Sequence, residues 1–286
     1  MRVALTGAGG FTGAYVRTAL AAAGARCVPL TADLTDPAAV EAEIGSRSFD
    51  RLIHLAGEAF VASGDWRRFY LVNQLGTLTL LDAVARRRPG ARCVLAGSAQ
   101  VYGPDASGIV TEEHPTRPDD HYGLSKLAME LGARAFADRL ELVVARPFNY
   151  TGVGQRNRFL VPKIVDHFRR RAATIELGNL DVRRDFGDVR SVAEAYAGLV
   201  SAEAPPPVVN ISTGRAHSVR DLLAMAEGLT GHRPAVGVNP AFVRAKDPPL
   251  LVGDHGRLSA ALPGWRPRAI EDTLAWMLAA APAEGG

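Results

Sequence analysis

The stretch that decides the fold stands near the N-terminus: Val3-Ala4-Leu5-Thr6-Gly7-Ala8-Gly9-Gly10-Phe11-Thr12-Gly13. Val3–Thr6 reads as a core strand and Thr12–Ala23 as an Ala-rich helix. Glycines 7, 10 and 13 allow a tight turn and let a pyrophosphate approach the helix N-terminus, where free N–H groups and the helix dipole favour negative charge. A bare glycine turn serves many βα connections. Its place directly between strand and helix marks a dinucleotide site, with Gly7, Gly10, Phe11, Thr12 and Gly13 against the ligand.

Outward from this turn, short apolar runs alternate with helical stretches. Strands are expected at Arg26–Leu30, Arg51–Leu55, Arg92–Ala96 and Glu141–Ala145. Asp36-Pro37 reads as an N-cap followed by proline at the first helical position, and helices are expected at Phe69–Arg87 and Tyr122–Arg139. This alternation implies an α/β protein with a doubly wound parallel sheet, a Rossmann domain over residues 1–150. Beyond it the pattern becomes irregular and reads as a smaller, mixed, ligand-binding domain over residues 151–286. Helices are expected there at Phe159–Arg171, at Ser191–Ser201 with Ser191 and Glu194 as a capping box, and at Ser218–Leu229 with Ser218 and Asp221 in that role. Residues 207–214, around Val208–Ile211, are expected to return to the sheet. The Pro- and Gly-rich segment Gly231–Gly253 reads as loop.

Composition narrows the function classes. With 47% hydrophobic and 22% charged residues the chain is of ordinary globular type. No apolar run is long enough to span a bilayer, and the glycines cut short any signal-like N-terminus, so a cytoplasmic protein is expected. The net charge of +3 gives no ground for nucleic-acid binding. Cys27 and Cys93 sit in apolar runs and read as buried thiols, and no metal set is visible. Arginines and lysines cluster from Arg146 to Arg190; Arg169–Arg171 reads as solvated surface, and the rest lie beside motifs where an anionic ligand is the better explanation.

Two further features carry chemistry. Asp33-Leu34 follow strand two, near where an acidic ribose reader normally sits; they could serve the adenine side instead. No arginine follows to hold a 2′-phosphate, so NAD(H) and NADP(H) both remain open. Tyr122 and Lys126 lie four apart on one helix face, and a lysine charge near a phenol stabilises phenolate. Many helices carry such a pair by chance. Ser98, directly after strand four, would face the same crevice and could polarise a carbonyl.

On these residues the chain resembles the extended short-chain dehydrogenase/reductase family over nearly its whole length. The matching segments are Thr6–Gly13, His54–Gly57, Asn73 with Gly76-Thr77, Ser98 with Val101–Gly103, Tyr122 to Lys126, Arg146–Asn149, Arg184–Phe186 and Gly264-Trp265. The resemblance implies an NAD(P)-dependent oxidoreductase in which Ser98, Tyr122 and Lys126 form the catalytic triad. It places Asp33, Leu34, Leu55, Ala56, Gly57, Asn73, Pro147 and Phe148 along the cofactor, together with the glycine turn. Ser98, Gln100, Asn149, Lys163, Arg184 and Arg244 would bind a nucleotide sugar, the arginines gripping its diphosphate. Arg146, at the end of a core strand, stays open between a ligand and a structural role.

The resemblance also orders the candidate reactions. Dehydratases of the family carry an ionisable acid–base residue just after the catalytic Ser or Thr, where this chain has Ala99 and Gln100. A 4-keto reductase or a 4-epimerase remains. The segments Gly152–Gln155 and Gly178–Phe186 are most similar to GDP-4-dehydro-6-deoxy-D-mannose reductases, with a related deoxy sugar or heptose as the other substrates. Relatives of this kind imply a homodimer through the helices Phe69–Arg87 and Tyr122–Arg139. A non-catalytic sensor or scaffold of the same fold is the remaining class, although such proteins usually lose the Tyr or Lys kept here.

Overall fold

The computed structural model describes residues 1–59, 64–243 and 248–281. In chain order, β1 (Arg2–Thr6), α1 (Phe11–Ala22), β2 (Arg26–Leu30), α2 (Pro37–Ser46) and β3 (Arg51–His54) come first. A π-helical segment, Phe69–Gly76, leads into α3 (Thr77–Arg87), then β4 (Arg92–Ala96), β5 (Gly108–Val110), α4 (His121–Ala133) and β6 (Glu141–Pro147). The remainder holds β7 (Asn149–Thr151), α5 (Leu160–Arg169), β8 (Thr174–Leu177), β9 (Arg183–Arg184), β10 (Phe186–Asp188) and α6 (Val189–Ser201). It ends with β11 (Val208–Ile211), β12 (His217–Ser218), α7 (Val219–Thr230), β13 (Ala235–Val238), β14 (Leu250–Gly253), α8 (Gly256–Ala261) and α9 (Ile270–Ala279).

Six strands form one sheet in the order β11-β6-β4-β3-β1-β2, every pairing parallel. The chain goes from β1 to one side for β2 and then crosses to the other side for β3. The carboxyl ends of β1 and β3 therefore flank a switch point, the place where such sheets open a ligand crevice. Both faces of the central strands are covered, which is why their interiors are largely apolar. Val3, Leu5 and Ile53 pack toward α1 and α6, while Leu52, Cys93 and Leu95 pack toward α2, α3 and α4. Each such fully buried Leu or Ile stabilises the fold by roughly 1.5–3 kcal/mol. The return of Val208–Ile211 to the sheet occurs as expected, against β6.

Four local readings change. The helix expected from Ser191 begins at Val189 and is capped by Asp188, whose carboxylate accepts from the Arg190 amide; Ser191 is buried and instead accepts from Arg268. Gly231–Gly253 is not all loop: β13 pairs with β8, and β14 pairs with β9 and β5. The helix from Tyr122 starts one residue earlier and ends at Ala133, followed by a 3-10 turn. Arg169 is half-buried and reaches the Leu278 carbonyl, whereas Arg170 and Arg171 are exposed. The caps Asp36 and Ser218–Asp221 form as the sequence implies. No helix among the described residues is long and apolar enough to cross a membrane.

Candidate active site

The crevice is built on glycine. A Cβ at Gly13 would lie 2.0 Å from the Gly7 carbonyl oxygen, and one at Gly7 would meet the Ala56 amide at 2.9 Å. Gly7 also has φ +69, which side chains disfavour. The turn after β1 thus presses against the turn after β3, an approach that glycine at position 7 permits. Gly57 completes the cradle: a Cβ there would meet Asn73 Oδ1 at 2.8 Å and Lys126 Nζ at 3.3 Å. These are the contacts expected of a surface that must admit a flat dinucleotide closely, so the residues fit an NAD(P) cofactor.

Polar groups beneath the cradle fix its shape. Thr6 Oγ1 accepts from the amides of Leu55 and Ala56, both at 3.1 Å, and lies 2.7 Å from His54 Nδ1. On the other side, His54 Nε2 is 2.8 Å from Thr77 Oγ1, which itself donates to the Asn73 carbonyl. That arrangement assigns the proton to Nε2. Burial, with help from the Lys126 charge, depresses His54 to about 3, so the ring is neutral. Asn73 is fully buried; its amide donates to the Glu58 carbonyl and Ser125 and accepts from the Glu58 amide. It clamps the Leu55–Gly57 turn from below.

On the adenine side of the expected site, Leu34 is buried against Gly76, while Asp33 is exposed and accepts from Thr35, which with its amide lowers the carboxyl pKa. Phe11 stacks on Tyr150 at 6.3 Å, and Thr12 Oγ1 meets the Tyr150 hydroxyl at 2.8 Å. The first turn of α1 is thereby tied to the segment after β6. Phe148 has its ring in the core, beside Tyr102, and its amide donates to the Ile211 carbonyl. With Pro147 lacking an N–H, carbonyls are what this strand end offers to a ligand.

Ser98, Tyr122 and Lys126 come together. Ser98 caps the 3-10 turn that follows β4, accepting from the Gln100 amide at 3.1 Å, and it hydrogen-bonds the Tyr122 phenol. Tyr122 sits in the first turn of α4, started by the Asp120 cap, with its ring edge-on to Phe69. Lys126, one turn on, donates from Nζ to the Ala96 carbonyl at 2.8 Å. Burial pushes Tyr122 up to about 12, with the Ser98 bond pulling the other way, and brings Lys126 down to about 8. In this arrangement burial outweighs the influences that lower the Tyr122 phenol, which holds its proton at neutral pH. Ala99 and Gln100, the next residues, are non-ionisable; Ala99 is buried and Gln100 exposed.

The outer residues divide. Asn149 and Arg184 are neighbours across two small sheets: β7 pairs with β10, and the Asn149 side chain reaches the Asp185 carbonyl at 3.4 Å. Arg184 is half-exposed and donates to the Arg183 carbonyl. Lys163 is turned to structure instead, donating to the Glu176 carbonyl at 2.7 Å and lying over the Phe242 ring. Arg244 lies outside the described residues. Arg146 resolves as structural: it is 4% exposed and makes a bidentate pair with Glu130, with distances from 2.6 to 3.2 Å. The sequence reading passed over three residues at the site. Glu130 had a signal, being four residues beyond Lys126; Asp185 was masked by the interest in Arg184; His54 had its motif noted but no role.

A family model described as GDP-mannose 4,6 dehydratase matches residues 28–277. The chain belongs to this family of extended short-chain dehydrogenase/reductase enzymes, which use NAD(P). It is 34% identical to the GDP-6-deoxy-D-talose 4-dehydrogenase of Aggregatibacter actinomycetemcomitans, over 90% of each chain. It is 32% identical to the GDP-6-deoxy-D-mannose reductase of Pseudomonas aeruginosa, over 93% of this chain and 92% of that one. The structure of RMD from Pseudomonas aeruginosa complexed with NADPH superposes with a TM-score of 0.86, at 31% identity and 97% coverage of both chains. This family member is therefore an NAD(P)-dependent oxidoreductase built on a Rossmann sheet.

Proposed function

We propose that this oxidoreductase reduces the C4 keto group of a nucleotide-linked 4-keto-6-deoxy sugar, with GDP-4-dehydro-6-deoxy-D-mannose, or a close analogue such as a heptose, as substrate. The observation that carries the reading is the meeting of Ser98, a protonated Tyr122 and Lys126 at one strand end, with non-ionisable Ala99 and Gln100 beside them. The likeness to two GDP-sugar enzymes supports the substrate class. Residues 151–286 carry the sugar-nucleotide side in this reading, with Asn149 and Arg184 at its base and Arg184 on the diphosphate.

Reduced nicotinamide, when bound, supplies a hydride to the sugar C4. As the C=O electron pair moves onto oxygen, Tyr122 gives that oxygen its proton, and the Ser98 hydroxyl donates a hydrogen bond to the same atom. The Lys126 ammonium stabilises the phenolate left behind. Tyr122 carries its proton through the neutral range and so can give it, and the nearby Lys126 charge offsets the burial that makes the phenol a weaker acid. Removing the C5 proton and expelling water, as a dehydratase must, needs a second ionisable group next to Ser98, and none stands there.

We also read the enzyme as a cytoplasmic homodimer. Leu71 and Leu75 of the π-helical segment and Leu124 and Leu131 of α4 are exposed at 46%, 52%, 38% and 50%. They are spaced by four and seven residues on two helices packed against each other, which is an apolar face suited to a second copy. Leu75→Glu together with Leu131→Glu should give a monomer by light scattering.

The test of the activity is direct. With GDP-4-dehydro-6-deoxymannose the protein should consume one NADH or NADPH per sugar reduced. Given GDP-mannose and catalytic NADP⁺ alone, it should form no 4-keto product. Appearance of that product would overturn the reductase reading, and sugar inversion without net cofactor consumption would make it a 4-epimerase.

A further inference from the structure

Behind Lys126 lies a buried polar chain with no part in the proton transfer described above. Glu130 is 4% exposed, one helical turn from Lys126 on the same side of α4. Its carboxylate takes the bidentate grip of Arg146, at the end of β6. Arg146 also donates to the Tyr102 hydroxyl at 3.1 Å, and Tyr102 donates to Asn210 Oδ1 at 2.7 Å. Asn210 belongs to the returning strand β11, and its amide donates to Glu112 at 2.7 Å. The chain of contacts thus crosses α4, β6, the turn after β4, and β11.

The position of the Glu130 carboxylate is enforced from the other side by Gly97. A Cβ there would meet Glu130 Oε1 at 2.8 Å and the Ala145 carbonyl at 3.0 Å. Gly97 stands between Ala96, whose carbonyl holds Lys126 Nζ, and Ser98, which holds Tyr122. The carboxylate therefore touches the one turn that carries contacts to both members of the pair on α4.

We propose that Glu130 is a positioning residue: gripped by Arg146 and packed on Gly97, it fixes the Ala96–Ser98 turn whose Ala96 carbonyl receives the Lys126 ammonium, and its negative charge favours the charged lysine. This rests on the role given to Lys126 above. Among the described groups that face Lys126, Glu130 carries the negative charge, which it shares with Arg146. Tyr122 on the same helix is protonated, His54 from β3 is neutral, and the Arg146 charge is met by Glu130. Burial lowers Lys126 to about 8, and Glu130 is the group that opposes that fall. A buried ammonium otherwise sheds its proton.

The chain has three lysines, Lys126, Lys163 and Lys246, so Lys126 can be titrated directly. In protein labelled with ¹³Cε-lysine, signals are assigned with Lys163→Arg and Lys246→Arg, and no substrate is needed. Glu130→Gln should lower the Lys126 midpoint by about one pH unit, a tenfold change in its protonation ratio. The alkaline limb of kcat/KM should move down by the same amount. Glu130→Asp, which keeps the charge, should restore most of the shift.

Loss of one partner leaves the Arg146 charge buried, so Glu130→Gln can fail to fold. The pair Glu130→Gln with Arg146→Met removes both charges and guards against that outcome. It should regain thermal stability yet keep a lowered Lys126 midpoint. A midpoint equal to the wild type in any folded variant lacking the carboxylate would overturn the proposal. Should the wild type reduce no keto sugar at all, the proposed reaction fails, and the titration still decides what Glu130 does.

Discussion

The hydroxyl of Thr6, the last residue of β1, lies 2.7 Å from Nδ1 of His54, the last residue of β3, and so ties the two strand ends at the candidate cofactor crevice. The tie needs a neutral imidazole, because Nδ1 is the acceptor and Nε2–H is the donor to Thr77.

Acid should destabilise the fold through His54. His54 falls from the usual 6.5 to about 3 in the folded protein. Above pH 6.5 neither state binds the proton; below it the unfolded chain does and the native chain does not. Stability is thus complete above 6.5 and is lost as pH falls, by up to about 1.4 kcal/mol per pH unit. Urea unfolding at pH 6.5 and pH 5 should differ by roughly 1.5–2 kcal/mol from this group. His54→Gln should be less stable at pH 7 but should lose less between the two pH values.

Two neighbouring glycines should answer alanine differently. Nothing lies within 4 Å of a Cβ at Gly9, whereas one at Gly13 would strike the Gly7 carbonyl at 2.0 Å. Gly9→Ala should bind NADH or NADPH about as the wild type does, read by fluorescence titration. Gly13→Ala should weaken that binding by tenfold or more, or lower the melting temperature by several degrees.

Tyr122→Phe removes the proton and keeps the ring packed on Phe69. Turnover should fall by about 10²-fold or more, the scale of general acid catalysis, with cofactor affinity unchanged. In the unaltered enzyme the rate should decline above about pH 8, where Lys126 loses its charge. A flat profile to pH 9.5 would remove Lys126 from the chemistry.

Arg184→Ala should weaken GDP binding by about tenfold or more, the loss of one charge-assisted contact of ~1.5–3 kcal/mol. NAD(P)H binding should stay within about twofold. Isothermal titration with each ligand separates the two effects, and an equal loss of both would mean that the substitution disturbs the fold.

The sheet was legible because its strands carry short apolar runs that alternate with helical stretches and are punctuated by Gly7 and Asp36-Pro37. The return of Val208–Ile211 was legible for the same reason. Gly231–Gly253 was not, because β13 and β14 are only four residues each and are held by pairing with β8, β9 and β5, which local pattern does not encode. That Ser98, Tyr122 and Lys126 would meet in one crevice was suggested by spacing and strand ends, and their joint role only by the family resemblance. The state of Tyr122 could not, since it depends on how completely the phenol is buried. Arg146 was ambiguous for a related reason: its partner Glu130 lies sixteen residues away on another element.

Helix α1 is covered by α6, and strand β6 gains its outer neighbour only from β11. Roughly 170 residues separate the two helices along the chain, so the apolar face of Val16 and Leu20 has no lasting cover until residues 189–201 have left the ribosome. A growing chain that has already formed its nucleotide turn must keep one side of its sheet shielded by other means, whether by chaperones or by transient collapse. Truncation before Val189 should for that reason give an aggregating fragment rather than a smaller, working nucleotide-binding unit.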